Sequence, residues 1–166
     1  GHMVTAKKDA AVAMRQTDVV IEVLDARAPL ASVNPLVEKL RRDLRRPALK
    51  LLNKADLADP KRTDAWLEYF NALPQTRAIA LSAKKAGEAN RIPKECRALS
   101  PQTKALRMLI MGVPNAGKST LMNTLLKRAI SKVGDEPAIT KGVHKHQLGP
   151  QMWLTDTPGM TWPGIS

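Results

Sequence analysis

One octapeptide constrains this chain more than any other feature: Gly112-Val113-Pro114-Asn115-Ala116-Gly117-Lys118-Ser119, a complete G-x-x-x-x-G-K-[ST]. An apolar strand pattern over 106–111 leads into it, and a helical pattern over 118–128 follows. Glycines at 112 and 117 let the backbone curl so that successive N–H groups face an anion. The helix beyond presents its positive end to the same point. Lys118 can then reach β- and γ-phosphates, and the Ser119 hydroxyl can ligate Mg²⁺. Pro114, Asn115, Ala116 and Thr120 complete the phosphate-binding stretch.

The rest of the chain supports such a fold. Strand patterns over 18–26, 48–52, 77–81 and 106–111 alternate with helical patterns over 34–44, 60–72, 92–99 and 118–128. Segments 144–148 and 152–155 read as a closing hairpin. That rhythm predicts an α/β fold with a mostly parallel six-stranded sheet covered by helices. Residues 1–17 read as an N-terminal helical segment, and 18–166 as the nucleotide-binding domain. Trp66, Phe70 and Leu73 at helical spacing read as core.

Two segments past strand ends select the base. In Asn53-Lys54-Ala55-Asp56, a carboxylate at 56 can accept from guanine N1 and N2, for which adenine has no matching donor pair. Asn53 braces the loop, and the Lys54 stem covers the face of the base. In Ser82-Ala83-Lys84, a backbone N–H can meet guanine O6. The nucleotide is therefore GTP or GDP, and Asp56 argues against an ATPase or kinase. Asp156 in Asp156-Thr157-Pro158-Gly159 can hold Mg²⁺ through water, and the Gly159 amide can approach a γ-phosphate. Thr140, in 137–142, is either a hydroxyl that joins Mg²⁺ only when γ-phosphate is present or a turn threonine.

The 166 residues carry 27 Lys+Arg against 15 Asp+Glu, a net +12, which points to a polyanionic partner. Lys39, Arg41, Arg42, Arg45, Arg46 and Lys50 form one basic group, and Lys84, Lys85, Arg91, Lys94 and Arg97 another. Aromatic residues are only 3%, which favours phosphate contacts over stacked-base platforms. The single cysteine, Cys96, excludes an internal disulfide. No apolar run approaches the ~18 residues of a membrane span.

The motifs stand in an unusual order. The base-selecting segments precede the phosphate loop, Thr140 and 156–159, as in a circular permutation. With 25–27 (Asp-Ala-Arg), 34–35 (Asn-Pro), 134–135 (Gly-Asp) and 162–163 (Trp-Pro), the chain resembles the circularly permuted GTPases of the YlqF/RbgA type. That resemblance implies GTP hydrolysis, action in large ribosomal subunit assembly on precursor particles and their rRNA, and a bacterial cytoplasmic, ribosome-associated setting. A monomer is expected. The helical domain that follows the switch segment in the family is expected to be absent, because the chain ends at Ser166. Met160 stands where many GTPases carry a water-orienting Gln, so hydrolysis needs other help. Asn115 resembles a residue that places K⁺ beside the phosphates, with loop rigidity as the alternative. His2 resembles a histidine proposed to assist hydrolysis, unless Gly1-His2-Met3 is a cloning remnant. A non-hydrolysing, GTP-dependent RNA- or ribosome-binding module is the competing function.

Overall fold

The computed structural model describes residues 2–82, 85–133, 139–140 and 144–156, with the side chains of 2–7, 86, 114, 130–133 and 139–140 left aside. The elements run α1 (His2–Arg15), β1 (Val19–Asp25), α2 (Pro29–Ser32), α3 (Pro35–Asp43), β2 (Ala48–Asn53), α4 (Pro60–Asn71) and β3 (Thr76–Ala80). They continue with α5 (Ala86–Ala89), α6 (Arg91–Leu99), β4 (Leu106–Gly112), α7 (Lys118–Val133), β5 (Ile139–Thr140), β6 (His144–Gly149) and β7 (Met152–Asp156). One sheet holds all the strands in the order β3-β2-β1-β4-β7-β6-β5. Five strands pair in parallel; β6 and the two-residue β5 add an antiparallel edge. The six expected strands are thus present, and β5 extends them at the edge.

Local chemistry explains the main elements. β1 and β2 are covered on both faces and are near-continuously apolar, as central parallel strands require. Pro35 opens α3 behind Asn34, whose side-chain oxygen accepts from the Leu36 N–H at 2.9 Å. Asp59 and Pro60 start α4 in the same way. The Asn71 carboxamide at the end of α4 bonds both the N–H and the C=O of Ala78, satisfying edge strand β3. Asp18 fixes the entry to β1, accepting from the Arg107 N–H at 2.9 Å while pairing with its guanidinium.

Alternation along the strands divides the core. Val19, Ile21 and Val23 join Leu49, Leu51, Met108 and Ile110 under α5, α6 and α7. Val20, Leu109 and Met111 pack against Ala10 and Met14 of α1 and Val37 and Leu40 of α3. On that same face, Leu24, Leu52 and Ala78 meet Phe70 of α4. Cys96 is fully buried, and burial pushes its thiol far up, so it packs as a small apolar group.

Only half of the first basic group forms the expected surface. Lys50 on β2 is 1% exposed and bonds Glu22, its cross-strand partner on β1, at 3.1 Å, and also Glu38 of α3. Arg41 is 4% exposed, held by Glu38 at 3.1 Å and by the Arg46 carbonyl. The Arg46 guanidinium caps α1 through the Met14 carbonyl at 2.9 Å. These cations neutralise carboxylates or close helix ends; Lys39, Arg42 and Arg45 of the group stay exposed, with Lys39 paired to Asp43 at 3.0 Å.

Candidate nucleotide site

In a parallel sheet the carboxyl ends of the strands share one edge, and ligands gather where the strand order reverses. Here that point lies between β1, which continues to β2 and β3, and β4, which continues towards β7. The phosphate loop leaves β4 there. Gly112 sits so close to β1 that a Cβ would come 3.0 Å from the Val23 carbonyl oxygen. A single 3₁₀ turn, Pro114–Ala116, follows. Gly117 adopts φ +95°, and a methyl on it would collide with the Asn53 carboxamide. α7 then starts at Lys118.

The base-selecting segment is joined to this loop. Asn53 ends β2, and its Nδ2 donates to the Ala116 carbonyl at 2.9 Å. Lys54, in left-handed backbone at φ 62°, donates from Nζ to the Asn115 carbonyl at 2.6 Å. Asp56 lies exposed in the 3₁₀ turn Ala55–Leu57, and the Ala55 N–H bonds the Leu81 carbonyl. Lys118 Nζ is 2.8 Å from Asp156 Oδ1 at the end of β7. Asn53, Lys54, Asn115, Ala116, Gly117, Lys118 and Asp156 are therefore brought together. Asn115, Ser119 and Thr120 are solvent-facing at the head of the loop and helix.

Other expected residues stand apart. The Ser82 N–H donates to Glu88 Oε2 at 2.6 Å, so that amide is not the one offered to guanine O6. Ala83, Lys84, Gly159 and Met160 lie outside the described residues, as do 134–135, 137–138, 142 and 157–158. For His2 and Thr140 only the backbone is described, in α1 and β5.

Sequence reading missed the role of Asp25. Its carboxylate takes the Arg27 guanidinium at 2.7 Å and the Lys54 ammonium at 3.6 Å. The Arg27 side-chain hydrogen bond holds the Asp25 carboxyl down at about 2, with the Arg27 N–H and Lys54 acting in the same direction. Asp25 faces Asn53 in the β1–β2 register, a pairing that becomes visible only when the two strands are aligned. Among the described residues no cluster of three His, Cys, Asp or Glu could hold a metal by itself. The hard oxygens present, Asp156 carboxylate and Ser119 hydroxyl, suit Mg²⁺ that completes its shell with phosphate and water.

Residues 107–166 match the family described as 50S ribosome-binding GTPase. The chain is 38% identical to Ribosome biogenesis GTPase A of Bacillus cereus, over 98% of its own length and 58% of that protein. It is 36% identical to the protein of the same name from Thermotoga maritima, over 99% of the chain and 59% of the relative. A solved GDP-bound structure of TM YlqF matches with a TM-score of 0.65 at 30% identity, over 92% of this chain and 57% of that one. Over nearly its whole length the chain is similar to circularly permuted GTPases of the YlqF/RbgA type. It spans about three fifths of the length of these YlqF/RbgA relatives. The phosphate-loop strand, β4, lies at the centre of the sheet, between β1 and β7.

Proposed function

We propose that this chain binds GTP and GDP with Mg²⁺, hydrolyses GTP, and acts in assembly of the large ribosomal subunit in a bacterial cytoplasm. The observation that carries the nucleotide reading is the pair of hydrogen bonds from Asn53 and Lys54 to Ala116 and Asn115. They set a guanine-selecting carboxylate at a fixed place relative to a phosphate cradle. The names of the relatives support the ribosomal setting.

In this reading Asp56 accepts from the guanine edge, Lys54 covers the base, and Ala83 or Lys84 offers the amide to O6. Gly117, Lys118, Ser119 and Thr120 hold the phosphates. Ser119, Thr140 and Asp156 would hold Mg²⁺, which would offset the negative charge of the phosphates. Lys118 leaves Asp156 for the phosphates when they arrive, because a dianionic oxygen cluster outcompetes one carboxylate. Gly159 contacts the γ-phosphate, Asn115 places K⁺, and His2 assists hydrolysis. Residues 18–166 form the G domain, with the helix before them packed on its sheet.

The test is a titration with labelled GDP, ADP and XDP, followed by phosphate release in K⁺ and in Na⁺, with and without large ribosomal subunits. Asp56→Asn is expected to weaken GDP by ~2–3 kcal/mol, about 30- to 150-fold, and to strengthen XDP. Turnover is expected to be faster in K⁺ and faster again with subunits. Unchanged GDP affinity in Asp56→Asn removes the guanine assignment; binding without turnover in any condition returns the chain to the non-hydrolysing alternative.

A further inference from the structure

At the amino-terminal edge of the sheet, opposite the nucleotide loops, α6, α7 and the β6–β7 turn enclose a groove of about 500 Å³. Its floor includes Leu125, Leu148 and Met152. Its cations are Lys94, Arg97 and Arg128, and no carboxylate lines it among the described residues. Arg97 is held rigidly, donating to the Thr103 carbonyl at 2.5 Å and the Lys104 carbonyl at 3.2 Å. Those acceptors are neutral, so they orient the guanidinium without cancelling its charge. Lys94 is exposed on the same helix, and Arg128 is half-buried on the facing one.

A concavity of this size is within the range that encloses a small organic group. Its make-up calls for a ligand with anionic periphery and a flat, apolar body. An unpaired RNA nucleotide has both: phosphates for the three cations and a base for the aliphatic floor. A duplex offers the phosphates but keeps its bases stacked inside. A Glu-rich segment offers charge without a flat body. Arg41 and Lys50 of the first basic group are buried against carboxylates, whereas Lys94 and Arg97 of the second line this groove with Arg128.

We propose that this groove seats an unpaired nucleotide of an RNA strand, with flanking phosphates on Lys94, Arg97 and Arg128. The identity of the partner as RNA rests on the ribosomal reading above; the location of the seat rests on the groove alone. Arg128 lies ten residues beyond Lys118 on α7, about 15 Å along the helix. The two sites share an element but no residue, so each can be changed without the other.

The experiment uses four probes at several KCl concentrations: a short oligouridylate, an abasic ribose-phosphate strand of the same length, an A-form duplex and polyglutamate. Anisotropy is the readout, and labelled GDP is titrated against each protein in parallel. Oligouridylate is expected to bind several-fold more tightly than the abasic strand and the duplex. Lys94→Gln with Arg128→Gln is expected to flatten its log–log salt slope by about 1.4, at about 0.7 per phosphate lost, with GDP affinity unchanged. Equal binding of the abasic strand, equal binding of polyglutamate, or an unchanged slope in the variant overturns the seat. A wild-type chain that binds oligouridylate as expected but not GDP leaves the groove standing and removes the nucleotide reading instead.

Discussion

Asp25 sits outside every nucleotide motif yet touches one of them. By pairing with Lys54 it holds the ammonium end of that side chain beside the phosphate loop, and Arg27 keeps it ionised. Asp25→Asn is therefore expected to weaken GDP and XDP alike by several-fold, in contrast to the base switch expected of Asp56→Asn. Its effect on stability has a definite pH sense. The folded carboxyl titrates near 2, below its ordinary 3.8, so the unfolded chain binds more protons between those values. The stability it contributes is fully present above about pH 4 and is lost as pH falls towards 2. The gap in urea midpoint between the parent and Asp25→Asn should shrink over that window; a gap that widens on acidification refutes the assignment. Asn53, Lys54, Gly117 and Lys118 were legible because their spacing alone reports a backbone need. The contact of Asp25 with Lys54 was not, since the lysine lies 29 positions away and follows Asn53, which faces Asp25 only through strand register. Glu88, which takes the Ser82 N–H, carried no signal at all.

Among the elements, the loop from β4 to α7 depends on Gly117 for both its left-handed turn and its closeness to Asn53. Gly117→Ala should add roughly 1–2 kcal/mol of backbone strain before any collision is counted. It should also break the Asn53–Ala116 bond, so the melting temperature and GDP affinity should fall together. A variant that melts as the parent does and binds GDP normally would contradict this geometry. The misreading of α3 belongs at the same scale. Val37, Leu40, Arg41 and Leu44 follow one helical stripe, so the period already placed Arg41 with the apolar residues. Counting charges along the chain hid what the spacing showed. Lys50, between Leu49 and Leu51 in a strand buried on both faces, was legible by the same reasoning.

At the scale of the whole molecule, the α/β class and the six main strands were readable because the first four alternate with helical patterns of clear period and the last two read as a hairpin. The two-residue β5 was not, because pairing to β6 and not its own composition makes it a strand. Between the apolar clusters lies the group of Glu22, Lys50, Glu38 and Arg41. Burial pushes the Glu22 carboxyl up while Lys50 pulls against it. Lys50→Met should cost ~3–5 kcal/mol by leaving Glu22 without its cation, whereas Glu22→Leu with Lys50→Met should recover most of that loss. Chemical denaturation of the three proteins decides it; equal destabilisation in the single and double variants would show that the pair does not act as a unit. The same pair bears on how the chain avoids error. β1 and β2 are otherwise nearly uniform runs of aliphatic residues, which would pair almost as well one or two positions out of step. Any such slip leaves the ammonium opposite valine, isoleucine or leucine, inside the protein and without an anion. One ionic rung thus works as a key cut into two smooth edges, admitting a single alignment of the sheet and, through it, a single placement of Asn53 beneath the phosphate loop.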